Sequence, residues 1–312
     1  MKLLFMGTPD IAAACLTAIL QDGTHSVCGV YTREDKPSGR KQILTPPPVK
    51  EVALAHQIPV FQPKTLRDGQ AAKEIAALCP DLMVVVAYGR ILTQEVLDIP
   101  RYGAINVHVS LLPQYRGAAP IQRAVLAGDA MTGVTVMQLD AGIDTGDILS
   151  VTPVTIGKDE TSGEVFERMT KVGADALLEA LAHIADGTAT RTPQDHAKAT
   201  LAPMLTKEEA QFTFDAPAQH LHNLIRGMNP WPVAYFIWEN KKIKVLRSSL
   251  QKDVVGKASG EILALKPLTV ACAQGAIVLD TVVPEGSRPM TGSAWAAGKR
   301  FSVGDMLPDT KA

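Results

Sequence analysis

Long apolar stretches are missing from this chain. The longest, such as residues 82–87, stop far short of the ~18 residues a membrane-spanning helix needs. The N-terminus offers only five apolar residues before a turn, too few for a secretory signal, and it lacks the Arg/Ser bias of a transit peptide. The expected location is the cytoplasm, with no membrane partner. Cysteine is scarce: Cys15, Cys28, Cys79 and Cys272 show no CxxC spacing, so reduced, mostly buried thiols are expected. The seven histidines give no zinc pattern. His220 and His222 form H-x-H, but on the helix expected there they point to different sides, and no metal is expected. Excess charge of either sign is absent too, since the net charge is −1. Its distribution is uneven: residues 1–200 carry 18 basic and 22 acidic side chains, the remainder 13 and 10. The positive excess lies in the C-terminal third. Finally, the glycine fingerprint of dinucleotide sites does not occur. Gly7-Thr8-Pro9-Asp10-Ile11-Ala12 supplies one glycine where three are needed, which argues against a nicotinamide or flavin cofactor.

What is present is ordinary globular composition, 46% hydrophobic and 20% charged over 312 residues. That length suggests two domains of ~150 residues. The first half alternates strand-like and helix-like signals. Residues 2–6, 26–31, 82–87, 104–107 and 133–139 read as strands. Residues 11–20, 49–56, 71–78 and 118–127 read as helices, and Ser162–Asp186 as a long amphipathic one. This rhythm predicts an α/β fold: an N-terminal Rossmann-like domain with a mostly parallel, doubly wound sheet. Residues 187–203 lose periodicity and turn polar. Beyond a helix at 217–228, short strands at 233–238, 243–247, 260–265, 269–273 and 276–279 suggest a small C-terminal β-barrel of OB-like type. The expected division is a catalytic domain over 1–188, a linker over 189–204 and a β-barrel domain over 205–312. Trp231, Trp238 and Trp295 read as packing residues.

Two segments carry chemistry. In residues 104–113, Asn106 and His108 stand at i and i+2, so on a strand they share a face. They lie at a strand's C-terminal end, where open α/β sheets place ligands. Asn106 offers an amide donor to an oxyanion, and His108 exchanges protons near neutral pH. From spacing alone, a structural Asn/His hydrogen-bonded pair fits equally well. The second segment, residues 140–147, sets three aspartates among glycines. It lacks the alternation and terminal Glu of an EF-hand. Either a turn exploiting Asp and Gly, or a carboxylate brought to His108, accounts for it.

NVHVSLLPQYRGAAPIQRAVLAGD, followed some 25 residues later by GIDTGDIL, resembles the folate-dependent formyltransferases. That family has an Asn–His–Asp constellation after an N-terminal Rossmann-like domain. Asn106 and His108 match its Asn-x-His, and Asp144 matches its acid in GxDTG. Further matches at MGTPDIAA, GRKQILTPPPVK, LTKEEA and NPWP extend the resemblance over essentially the whole chain. They point to the branch whose acceptor is methionyl-initiator-tRNA. Three positions depart from the pattern: Val109 stands where Gly usually follows the His, GRKQIL loses a Gly and a Lys, and Met204 replaces a common Lys.

The resemblance implies transfer of a formyl group from 10-formyltetrahydrofolate, as co-substrate, to the α-amino group of methionyl-initiator-tRNA. The catalytic residues would be Asn106, His108 and Asp144. Folate would contact Ser110, Leu111, Leu112 and Pro113, and also Val86, Tyr88 and Gly89. The tRNA would meet Arg40 and Lys41 in the basic 33–50 loop, and Lys242, Lys244 and Arg247 on a C-terminal hairpin. A monomer is the expected state. Two other readings stay open: a formyltransferase acting on a sugar nucleotide or small amine, and a non-catalytic RNA- or folate-binding protein.

Overall fold

Leu3, Leu4, Phe5 and Met6 are all fully buried, on both faces of the strand they form. A strand buried on both sides must lie mid-sheet with helices above and below, which is why it reads as one continuous apolar run. In the computed structural model, which describes residues 1–39, 42–251 and 257–307, it is β1 (Lys2–Gly7). The chain divides into two compact units. One comprises Met1–Gly117, Thr132–Val154 and Glu167–Ala202; the other comprises Ala118–Met131, Thr155–Phe166 and Pro203–Ala312. The second thus takes in two stretches, 118–131 and 155–166, that a division at the polar segment assigns to the first.

In the first unit the strands are β1, β2 (Ser26–Tyr31), β3 (Lys36–Ser38), β4 (Ile43–Thr45), β5 (Val60–Phe61), β6 (Leu82–Val86), β7 (Ala104–His108), β8 (Arg116–Gly117), β9 (Met131–Gln138), β10 (Ile148–Thr155) and β11 (Leu201–Ala202). The main sheet has seven strands in the order β10-β9-β7-β6-β1-β2-β5. β5, β2, β1, β6 and β7 pair in parallel, whereas β9 joins β7 antiparallel. The helices are α1 (Asp10–Asp22), α2 (Pro48–Ala55), α3 (Gln70–Leu78) and α4 (Gln94–Leu97), with α6 (Ser162–Asp186) from residue 167 onward. Leu4, Met6, Met83, Val85 and Ala104 form one apolar cluster with Ala72 and Ile75 of α3 and with Val96 and Leu97 of α4. On the other face, a Cβ at Gly173 of α6 would sit 3.4 Å from Val107. The doubly wound expectation therefore holds, and it fixes which face Asn106 and His108 occupy: that of Ala104, opposite Val107.

The lone Gly7 has a steric role. A Cβ there would meet Ala12 Cβ at 2.5 Å and the Val86 carbonyl at 2.9 Å. Residues 187–203 are also more than a connector. Thr192 bridges to Ile148, Gln194 is buried, and β11 pairs with β8. Through Ala202 this polar, aperiodic stretch groups with the first unit.

The second unit holds β12 (Tyr235–Trp238), β13 (Lys241–Gln251), β14 (Ile262–Leu265), β15 (Leu268–Ala271), β16 (Ala276–Pro284) and β17 (Met290–Thr291). They form an antiparallel sheet in the order β12-β13-β16-β15-β14, with β17 paired to β16 off that path. Its helices are α5 (Pro120–Ala127), α7 (Ala218–Gly227) and α8 (Gly292–Lys299). Aromatic edges build its core: Phe236 meets Trp295 at 5.9 Å, and Trp295 meets Phe301 at 5.2 Å. Trp238 and Trp295 pack as expected, but Trp231 is 52% exposed, between two prolines in a turn. His222 is a satisfied core residue. Its Nε2–H donates to the Lys158 carbonyl at 3.1 Å, while Nδ1 contacts Ser248 Oγ at 3.0 Å. His220 is exposed, so H-x-H is split between core and solvent.

Candidate active site

β7 ends at His108, and the chain leaves it through a loop secured by its neighbour β9. Thr135 Oγ1 donates to the Ser110 carbonyl at 2.7 Å and accepts from Leu112 N–H at 3.2 Å. Ser110 Oγ in turn donates to the Gln114 carbonyl at 2.7 Å. The Ser110 hydroxyl is therefore spent inside the loop, and the side chain is fully buried. Leu111 lies over Gly133, where a Cβ would come within 2.4 Å of it. Leu112 is buried.

The loop returns to His108. The imidazole Nε2 lies 2.9 Å from the Tyr115 carbonyl oxygen. A carbonyl only accepts, so Nε2 carries a proton and, in the neutral ring, Nδ1 is the basic nitrogen. Nδ1 faces Asp144 Oδ2 at 3.6 Å, too long for a hydrogen bond but close for an ion pair. The same Oδ2 accepts from the Gly117 backbone N–H at 2.8 Å. The Asn106 amide shares the strand face with His108, is half-buried, and has no hydrogen-bond partner among the described residues.

Asp144 arrives on the turn between β9 and β10. Asp140 organises that turn from within, accepting from Gly142 N–H at 3.0 Å and Thr145 Oγ1 at 2.6 Å. Gly146 passes so close to β9 that a Cβ would lie 1.9 Å from the Gln138 carbonyl. The three aspartates thus divide: Asp140 shapes the turn, Asp144 faces His108, and Asp147 offers its carbonyl to Gln138 N–H at 2.8 Å. Among the described residues no cluster of metal-ligating groups is found.

The 86–89 segment, at the C-terminal end of β6, is a tight turn. Ala87 and Gly89 have φ of 44° and 77°. Thr8 Oγ1 donates to the Tyr88 carbonyl at 3.1 Å, and Arg33 Nη1 to the Gly89 carbonyl at 2.6 Å. The Val86 and Tyr88 side chains are core residues; burial lifts the Tyr88 phenol to about 12. Only Ala87 and Gly89 of this turn are exposed.

The basic residues separate into occupied and free. In the 33–50 loop, Lys50 Nζ is bound to Asp35 at 2.8 Å and Gln62 at 2.9 Å, so it shapes the fold. Arg40 and Lys41 lie outside the described residues. On β13, exposed Lys242 and Lys244 alternate with buried Ile243 and Val245 and share the outer face. Arg247, beyond a bulge, is ion-paired with Glu164, whose carboxyl this contact holds down at about 2. Sequence reasoning missed Arg116, Gly117, Thr135 and Gln194. Each acts through a partner more than 20 residues away, and no local pattern marks such a contact.

A formyl transferase family model matches residues 1–181, and the model of the formyl transferase C-terminal domain matches residues 204–300. The chain belongs to the formyl transferase family. Family members named methionyl-tRNA formyltransferase resemble it closely. That of Pseudomonas putida (strain GB-1) is 47% identical over 98% of this chain and 99% of its own. That of Pseudomonas entomophila (strain L48) is 48% identical over the same shares. Among solved structures, an N-formyltransferase from Helicobacter canadensis, in complex with folinic acid and dTDP-3-aminofucose, aligns with a TM-score of 0.68 at 19% identity. The alignment covers 89% of this chain and 98% of that one. HypX from Aquifex aeolicus with tetrahydrofolic acid gives 0.65 at 17% identity over 97% of this chain and 48% of its own. These two likenesses concern the fold.

Proposed function

We propose that the chain transfers a formyl group from 10-formyltetrahydrofolate to the α-amino group of methionyl-initiator-tRNA, in the cytoplasm, as a monomer and with no metal. Tetrahydrofolate is released as product. The single observation that carries the chemistry is Asp144 Oδ2 at 3.6 Å from His108 Nδ1, with the Asn106 amide unengaged on the same strand face. Near full-length identity to methionyl-tRNA formyltransferases supports the choice of acceptor.

The attacking amine must be neutral, which costs little for a free α-amino group with a pKa of ~8. Its nitrogen bonds to the formyl carbon, and the carbonyl electron pair moves onto oxygen. Asn106 and His108 donate hydrogen bonds to that oxyanion, an effect worth about 3–4 kcal/mol per donor in acyl transfer. Nε2 is committed to Tyr115, so Nδ1 is the nitrogen left for the reacting centre. With Asp144 beside it, Nδ1 takes up the proton the amine must lose and can then donate to the oxyanion. The oxyanion then collapses, N10 departs with a proton, and the formamide remains.

For the folate, exposed Ala87 and Gly89 and the loop around Leu111 and Pro113 offer the contacts. For the tRNA, Lys242 and Lys244 present unpaired charge to phosphates, and residues 205–312 form the tRNA-binding part. The test is to incubate the protein with 10-formyltetrahydrofolate and methionine-charged initiator or elongator tRNA and to weigh the released methionine. One formyl group gained on initiator-derived methionine alone supports the reading. No gain, with a sugar-nucleotide amine formylated instead, overturns it.

A further inference from the structure

Gln194 comes from the polar segment that follows α6, yet it is only 7% exposed. Its Nε2 donates to the carbonyl of Asp144 at 3.0 Å and to that of Gly146 at 2.7 Å. Its Oε1 accepts from Arg116 Nη2 at 2.6 Å and from Nε at 3.2 Å. Arg116 is equally buried and immediately precedes Gly117, whose N–H holds the Asp144 carboxylate. A ring therefore closes: Arg116 to Gln194, Gln194 to the backbone of Asp144, and the side chain of Asp144 back to Gly117. The backbone of Asp144 needs such a hold. Its φ is +53°, a left-handed conformation that is sparsely populated outside glycine and persists where surroundings over-determine it.

We propose that Gln194, braced by Arg116, is a positioning residue for the Asp144 carboxylate. It fixes the 144–146 turn so that Oδ2 faces His108, and it touches no reacting atom. This rests on the formyl-transfer reading and adds a residue to that site. The amide is chemically suited to the place. It has an acceptor for the guanidinium and two donors for two carbonyls, whereas a carboxylate there keeps the first contact but turns lone pairs on both carbonyls.

The test compares Gln194→Glu and Gln194→Met with the parent protein and Asp144→Ala, all as full-length chains. Formyl transfer to methionyl-initiator-tRNA is followed from neutral to mildly acidic pH, and thermal unfolding confirms folding. In both Gln194 variants kcat falls at least roughly ten-fold, while KM for each substrate stays within about three-fold. The activity of Gln194→Glu relative to the parent recovers as pH falls, because a protonated carboxyl regains one donor; the Gln194→Met ratio stays flat. Should the glutamate variant not fold, the kcat and KM split of Gln194→Met decides. Parental kcat in a folded variant, a rise in KM alone, or flat ratios for both overturns the proposal while leaving the functional reading intact. A parent protein inactive on methionyl-tRNA removes that reading, and this proposal with it.

Discussion

Gly117 and Asp144 are joined by a 2.8 Å hydrogen bond from backbone N–H to Oδ2, the same oxygen that faces His108. The geometry depends on glycine. Gly117 has φ of +121°, and a Cβ there would lie 2.9 Å from the Ala202 carbonyl. Gly117→Ala is therefore expected to cost about 1–3 kcal/mol of stability and to lower kcat, because relieving the clash pulls the N–H from the carboxylate. Urea unfolding and steady-state kinetics on the same preparation check both effects. Unchanged kcat would mean that Asp144 keeps its orientation without this donor.

Thr135 is fully buried and serves both a carbonyl and an N–H of the loop after His108. Thr135→Val preserves shape but leaves both groups unpaired. A loss of about 1–3 kcal/mol follows, with KM for the folate rising because the loop proposed to hold it is released. Denaturant titration and folate binding by fluorescence give the two numbers.

Glu164 gives a pH dependence with a definite sign. The Arg247 contact, helped by Thr161, lowers its carboxyl from 4.5 to about 2 in the folded chain. A depressed folded value means the stabilisation is present above the unfolded pKa and is lost as pH falls through the folded one. The stability gap between the parent and Arg247→Ala should be widest above about pH 4.5 and narrow toward pH 2. Unfolding midpoints across that range measure it, and a constant gap contradicts the pairing.

Lys242 and Lys244 carry exposed charge that no ion pair among the described residues consumes, although Lys242 Nζ also sits 4.5 Å above the Tyr235 ring. If they meet tRNA phosphates, each alanine variant should weaken binding and reduce the slope of log K against log salt by about 1. Arg247→Ala should change the slope less, since Glu164 already holds that charge. Equal slopes in all three variants would place the RNA elsewhere.

Much of the first unit was legible because burial on both faces writes itself as apolar runs. β1, β6 and β7 stand within a residue or two of their expected ranges, and α6 matches at both ends. The capping box at α6, in which Thr161 and Glu164 exchange bonds of 2.8 and 3.3 Å, shows why its start is sharp. β10 escaped notice because this edge strand has no buried residue and carries Pro153. α8 escaped because glycine and alanine leave little periodic signal. Asn106 and His108 were visible as an i, i+2 pair, and Asp144 through a second motif. Arg116 and Gln194 were not, for they stand 78 residues apart and meet only in the folded chain. The Ser110 hydroxyl closes its own loop, a bond that no local pattern marks.

The most direct measurement is the single-turnover rate of formyl transfer to methionyl-initiator-tRNA in Asn106→Ala, His108→Ala and Asp144→Ala, each shown to be folded. A proton-exchanging His beside a carboxylate and an amide donor requires each variant to lose at least about 100-fold in rate. Near-parental rates in all three would contradict the assignment of the reaction to this strand end.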